Sequence, residues 1–180
     1  MQRIGLITDT HGLLRSEAMS LLQGCDQIIH AGDIGKPEIL DALAAIAPVT
    51  AVRGNNDKGA WARRIPEEAY LEVENIRVYV IHDLGAMHVD PNARGIGVVV
   101  SGHSHRPSVT RKGAVLYVNP GSAGPRRFRL PVAAAELLVE GSVATATVRD
   151  ILTGDPICCE QSRRGQREGH VRSGRRASRH

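Results

Sequence analysis

Apolar positions along the chain follow two rhythms. In the first third, short apolar runs alternate with stretches of helical spacing. Arg3–Thr8 reads as a buried strand that opens into a polar loop at Asp9. Ser16–Gln23 carries helical spacing with Ser16 placed as an N-cap, and Asp26–His30 is a second strand ending in Ala31-Gly32-Asp33. Pro37–Ala47 reads as a helix, with Pro37 suited to its first turn and Pro48 closing it. Val49–Arg53 is a third strand, ending in Gly54-Asn55-Asn56-Asp57. Such an order of strands and helices predicts a parallel sheet with right-handed crossovers.

The second rhythm is almost all strand. Glu68–Val73 alternates, Arg77–Ile81 and Gly97–Ser101 are apolar runs, and Leu116–Val118 precedes an Asn119-Pro120-Gly121-Ser122 turn. A short helix is expected near Asp90–Ala93, with Arg94 and Gly95 in the turn that follows. Ala133–Val139 and Ser142–Val148 suggest a hairpin around Glu140-Gly141. These pieces are expected to form a second, strand-built layer packed on the first sheet. Residues 1–159 thus predict one domain, and 160–180 a basic tail. From Gly165 that tail is Arg/Ser/Gly-rich without apolar periodicity, so disorder is expected there.

Composition sharpens this picture in three ways. The net charge of +4 belongs to the tail. Residues 1–159 hold 16 Lys+Arg against 17 Asp+Glu, whereas 160–180 hold 7 Arg against 2 Glu. A near-neutral body carries no nucleic-acid footprint, so only the tail is a weak candidate for RNA or phosphate. Aromatics are 3% of the chain, which argues against stacking platforms for bases and against a nuclease. The three cysteines (Cys25, Cys158, Cys159) form no C-x-x-C pair and read as reduced thiols. With no apolar run of membrane-spanning length and no signal segment apparent, a cytoplasmic protein without a membrane partner is expected.

The chemistry collects where predicted strands end. In chain order these groups are Asp9-Thr10-His11, Gly32-Asp33, Gly54-Asn55, His82 and Gly102-His103-Ser104-His105. Oxygen and imidazole donors without thiolate suit Mn, Fe, Ni, Co or Zn better than Ca or Mg. Seven donors exceed the need of one tetrahedral ion and match two ions sharing a carboxylate. In an extended strand end, residues i and i+2 face one side. Asp9 with His11, and His103 with His105, could then each present two donors to one cleft. The glycines before Asp33, Asn55 and His103 would let the backbone turn tightly. His30, inside a strand end, reads as a packed residue rather than a ligand.

The ordered set D-x-H, G-D, G-N-x-D, H, G-H-x-H resembles the calcineurin-like metallophosphoesterase superfamily, and within it the small single-domain YfcE-like phosphodiesterase branch. The fold of that branch is shared by a retromer subunit. The resemblance spans Gln2 to about Val148. It implies a four-layer α/β/β/α sandwich and a metal-dependent phosphodiesterase. One ion would be held by Asp9, His11, Asp33 and His105, and the other by Asp33, Asn55, His82 and His103. Two divalent ions, Mn²⁺ first and then Ni²⁺, Fe²⁺, Co²⁺ or Zn²⁺, would activate hydroxide for in-line attack on phosphorus.

Asp33 and Asn56 fall at catalytic positions, and Asp57 is a candidate for orienting a histidine ligand. Arg106, Arg126 and Arg127 are candidates for holding substrate phosphate. Two departures stand out. Asn56 replaces the histidine that often follows the G-N, and His82 is followed by Asp83 rather than glycine. Partners implied are a small phosphoester substrate and copies of the chain in a dimer or tetramer. The alternative reading is a catalytically weak or inactive interaction module on the same fold.

Overall fold

A computed structural model of the protein describes residues 1–162, with side chains described to Cys158. The strand-helix alternation of the first third folds as its apolar pattern predicts. Strand β1 (Gln2–Ile7) is followed by helix α1 (Ser16–Leu22), β2 (Gln27–His30), α2 (Glu38–Ala44) and β3 (Val49–Ala51). Strands β1, β2 and β3 pair in parallel. Ile4 and Leu6 face one side of the sheet and Ile7 the other, all fully buried, as strands covered on both faces require. Gly5 lies beneath α1, where an added Cβ would come within 2.2 Å of Leu22 Cδ2.

Eight more strands follow: β4 (Glu68–Val73), β5 (Ile76–Ile81), β6 (Ile96–Val100), β7 (Ser108–Lys112), β8 (Val115–Asn119), β9 (Ala133–Glu140), β10 (Val143–Asp150) and β11 (Pro156–Ser162). One sheet runs β11-β10-β9-β1-β2-β3 and the other β4-β5-β6-β8-β7. The two sheets face each other across a core of Ile4, Leu6, Ile29, Val78, Val98, Leu116 and Leu137. A second core, around Leu22, Ile28, Ile39 and Leu43, lies between the first sheet and its helices. Two sheets with few helices give the mixed α/β sandwich that the resemblance implies.

Several expectations are corrected. The β9–β10 hairpin belongs to the first sheet, because β9 pairs antiparallel with β1 from Gln2↔Val139 to Leu6↔Ala135. Only one layer of the second half is therefore a separate sheet. The helix expected near Asp90–Ala93 is a turn: Arg94 N–H reaches Asp90 O at 3.1 Å, and Gly95 at φ 65° ends it at once. The outer face of the second sheet is covered by Met87 and Val89 of this connection rather than by a long helix. Ser16 does not cap α1. Arg15 holds the cap position without a side-chain bond, and the Ser16 hydroxyl donates to Glu17 instead.

Strands β7 and β11 carry no apolar run that marks them in the sequence. Strand β11 crosses the expected boundary after Cys159, and the remainder of the predicted tail lies outside the described residues. Among the described residues no helix is long and apolar enough to cross a membrane.

Candidate metal centre

The polar residues after β1, β2 and β3 meet at one end of the first sheet. Their loops are zipped together by backbone hydrogen bonds, Asp9 N–H to Gly32 O at 3.0 Å, His11 N–H to Asp33 O at 2.9 Å and Gly12 N–H to Ile34 O at 2.8 Å. The approach is close enough that a Cβ on Gly35 would sit 2.2 Å from Gly12 N. From the second sheet, Gly102 N–H donates to His82 O at 2.9 Å, and Asn119 Nδ2 donates to Gly102 O at 2.8 Å. That ties the H-x-H loop down onto the end of β5.

The converging side chains lie close together. His105 Nε2 is 3.2 Å from Asp9 Oδ1, and His11 Nε2 lies 3.8 Å from the same oxygen. Asp33 Oδ2 stands 3.7 Å from His11 Nε2 and 3.4 Å from His82 Nε2. Two overlapping ligand groups result, Asp9/His11/His105 and Asp9/Asp33/His82. Asp9 belongs to both, and Asp33 reaches a histidine of each. Asn55 Oδ1 and His103 Nδ1 meet at 3.1 Å, with the His103 ring edge-on to His82 at 5.3 Å between centroids. This pair forms the exposed half of the cluster. Beside it opens a cavity of about 640 Å³ lined by Asn55, His82, Asp83, His88 and His103 among others.

Backbone geometry corrects the strand-end argument. Asp9, His11, Asp33, His103 and His105 all lie beyond their strands in left-handed conformation, at φ 53°, 45°, 53°, 66° and 58°. Asp and His enter this region more readily than most side chains, though still at a cost of about 1 kcal/mol or more each. Clustering of such residues is the mark of a functional site. Two of the three glycines before ligands also act otherwise than expected. Gly54 and Gly102 do not have positive φ; they are small because a side chain has no room. A Cβ on Gly54 would lie 2.1 Å from Asp33 Oδ1, and one on Gly102 would lie 2.1 Å from Thr8 Oγ1.

Asp9 is held by one oxygen and offers the other. Asp9 Oδ2 accepts from the Thr8 hydroxyl at 3.0 Å and from His103 N–H at 3.1 Å. Its Oδ1 is buried and makes no hydrogen bond, as are His82 Nε2 and His105 Nδ1. His82 Nδ1 donates to Ala31 O at 2.7 Å, which fixes the tautomer and aims Nε2 at Asp33. Bringing Asp9 and Asp33 together out of water is unfavourable unless a cation lies between them. Divalent ions with oxygen and imidazole preference fit this donor set, and would satisfy Asp9 Oδ1 and His82 Nε2.

Charge states follow from these contacts. Burial pushes the Asp33 carboxyl up, but the His82 imidazole 3.4 Å away and hydrogen bonds from the Asn56 backbone and side chain outweigh it and hold it well below the usual range. Burial pulls His82 down, yet the close Asp33 carboxylate, the bond to Ala31 and the Asp9 charge leave it raised. His11 is lowered, chiefly by burial, against the pull of Asp33 and Asp9. His30 is fully buried and lowered to about 4 by burial. It accepts from Gly32 N–H on Nδ1 at 3.2 Å and lies 3.0 Å from Thr10 Oγ1 through Nε2. It is a packed residue that braces the Asp9 loop.

Two roles expected from the sequence change. Asp57 orients no histidine; its carboxylate accepts from the backbone N–H groups of Ile34, Gly35 and Gly54, at 3.1, 2.8 and 2.8 Å. It pins the Asp33 loop to the Gly54 loop. Asn56 is a positioning residue: its backbone N–H holds Asp33 Oδ1 at 2.9 Å and its Nδ2 donates to Oδ2 at 2.7 Å. Arg106, Arg126 and Arg127 are exposed. Arg127 is near enough for its charge to act on His11. Asp83 accepts from Gly85 N–H at 2.8 Å and has its other oxygen 3.9 Å from His103 Nε2. Sequence reasoning missed Thr8 and Asn119 as braces, although the Asn119-Pro120 turn had marked the latter's position.

A two-sheet sandwich with carboxylates and imidazoles gathered at its strand ends defines a metallophosphoesterase. Comparison with known proteins agrees, because residues 2–141 match the calcineurin-like phosphoesterase superfamily domain. A probable metallophosphoesterase of Methanothermobacter thermautotrophicus is 30% identical over 167 residues, 86% of this chain and 95% of that protein. Among solved structures, Vacuolar Protein Sorting 29 from Cryptosporidium parvum superposes with a TM-score of 0.75 at 19% identity, covering 89% of this chain and 97% of that one. YfcE, a phosphoesterase from E. coli, does so at 0.70 and 20% identity, covering 88% and 98%. The chain belongs to the calcineurin-like phosphoesterase superfamily, whose members are metal-binding hydrolases of phosphoesters.

Proposed function

We propose that this protein is a phosphodiesterase working with two divalent ions, Mn²⁺ first among them. The observation that carries the reading is the buried pair Asp9 and Asp33 gathered with the imidazoles of His11, His82 and His105, the Asp9 Oδ1 being without a hydrogen bond. Asp9, His11, Asp33 and His105 would hold one ion, and Asp33, Asn55, His82 and His103 the other. When bound, such ions polarise phosphoryl oxygens and acidify a water to a pKa of about 7.

The residues of the chain supply the rest. Thr8 and the His103 amide fix Asp9, and Asn56 fixes Asp33, so the donors keep their places before substrate arrives. Asn56 offers no titratable proton to a departing oxygen. Esters whose leaving group departs without protonation, such as aryl diesters, therefore suit this site best. The cavity beside Asn55 and His103 has the size of a small-molecule pocket and would take that leaving group.

A second reading draws support from Asn56 and from the likeness in fold to Vacuolar Protein Sorting 29. In it, the same surface serves as an interaction module with weak or no turnover. Purified protein assayed on an aryl phosphodiester with Mn²⁺, Ni²⁺, Co²⁺ and Zn²⁺ in turn discriminates the two. Metal-dependent turnover that Asp33→Ala abolishes is expected. No turnover with any of these metals would favour the interaction module, and undiminished turnover by the variant would refute the ligand assignment.

A further inference from the structure

Phe128 is the chain's one phenylalanine, and it is 95% exposed. Its backbone is left-handed at φ 53°, a conformation disfavoured for a bulky side chain without polar atoms. Arg126, Arg127 and Arg129 flank it, all of them exposed. No acidic side chain pairs with these arginines among the described residues. Folding alone does not explain an unburied aromatic ring among three unneutralised cations on a strained turn.

The segment is held at both ends. Ala133 N–H donates to Ser122 O at 2.9 Å, which closes the base of the loop, and Leu130 N–H donates to Arg127 O at 3.1 Å at its tip. Its stem rests on the Asp9 loop. The Ser122 hydroxyl donates to Asp9 O at 3.0 Å, and Ala123 N–H to Thr8 O at 3.1 Å. Gly124 is pressed so close that a Cβ there would lie 2.3 Å from Thr10 O and 2.6 Å from Asp9 O. Arg15 Nε donates to Gly124 O at 3.1 Å from the other side. Phe128 is four residues beyond Gly124, so its backbone lies within about 14 Å of the Asp9 loop, and the adjacent Arg127 is near enough for its charge to act on His11.

We propose that the loop Pro125–Leu130 is the substrate-recognition arm of this site, with Phe128 stacking on a flat aromatic substituent of the phosphoester and the arginines engaging its phosphate. The favoured substrates are thus nucleotide-like or aryl esters rather than alkyl or sugar ones. The inference rests on the function proposed above. Guanidinium groups match phosphate oxygens in bidentate geometry, and a base or aryl ring offers a π-face whatever its substituents.

Titration calorimetry of the full chain in Mn²⁺ tests the arm directly, with adenosine 5′-monophosphate and ribose 5-phosphate as probes. The two share sugar and phosphate and differ in the base. The nucleotide is expected to bind roughly tenfold tighter. Phe128→Ala should erase that difference and Phe128→Trp keep it. Replacing Arg126, Arg127 and Arg129 together by Gln should weaken both probes and flatten their salt dependence. Equal affinity for the two probes in the unaltered protein, or a preference that survives Phe128→Ala, would overturn the proposal. The aryl diester assay keeps the two readings apart: turnover without base preference leaves the phosphodiesterase and removes the arm, whereas absent turnover removes the phosphodiesterase.

Discussion

Gly54→Ala tests whether the Asp33 carboxylate is held by packing against bare backbone. The added methyl would lie 2.1 Å from Asp33 Oδ1, 2.3 Å from Asp33 N and 2.7 Å from its Cγ. Ordinary carbon contacts need about 3.5 Å, so something must move by more than 1 Å. The Asp33 backbone is fixed through Asp57, whose carboxylate binds Ile34, Gly35 and Gly54. A side-chain rotation cannot relieve the contact with Asp33 N, so the two pinned loops must be forced apart, and the carboxylate moves with them. Metal sites tolerate displacements of about 0.2 Å, so binding of the ions that Asp33 would share should be lost.

Overpacking of this kind costs about 1–3 kcal/mol, or roughly 2–12 °C in melting temperature for a chain of this size. Gly113→Ala is the matched control. Its φ is 61° with nothing within 4 Å, so it should lose about 1 kcal/mol through backbone strain alone. Melting followed by circular dichroism, with and without Mn²⁺, separates the two variants. Gly113→Ala should keep the stabilisation by Mn²⁺, and Gly54→Ala should lose it. If Gly54→Ala melted like the unaltered protein and still gained stability from Mn²⁺, the packing argument would be refuted.

Three further outcomes are expected. Asn56→Ala removes the Nδ2 bond to Asp33 while leaving the backbone one, so half-saturating Mn²⁺ should rise about 10–100-fold with kcat at saturating metal little changed; a kcat lost at saturating metal would place Asn56 in the chemistry instead. Asp57→Ala leaves three backbone N–H groups without their charged acceptor and should cost at least about 3 kcal/mol, read as a fall in urea midpoint; an unchanged midpoint contradicts its bracing role. For His30 the folded value of about 4 lies below the ordinary 6.5, so the unfolded chain takes up the proton first. Its contribution is complete above pH 6.5 and is lost as pH falls from 6.5 to 4, by about 3 kcal/mol at most. His30→Gln in chelated protein should flatten stability over that window, and an unchanged slope would count against a neutral buried ring.

Local pattern was enough for the first sheet's parallel core. Alternating apolar runs and helical spacing are set by near neighbours, and they placed β1, β2 and β3 and the polar groups at their ends. The donor types along the chain were also legible, since Asp, Asn and His after strands announce themselves by identity and order. What the sequence could not decide is long-range pairing. Strand β9 joins β1 across more than 130 residues, as the Arg3–Glu136 contact shows, and no local pattern states which sheet a hairpin will enter. Strand β7, Ser108–Lys112, is polar because it lies at a sheet edge, and a polar run carries no strand signal until a partner exists.

The same holds at the site. Left-handed backbone at five ligand positions, the duty of Asp57 to three amides, and the seating of Ser122 on the Asp9 loop all arise from loops pressing on one another. Sequence named the donors because chemistry is a property of residues. Their spacing, charge and bracing were set by the fold, because those are properties of atoms brought together from distant parts of the chain.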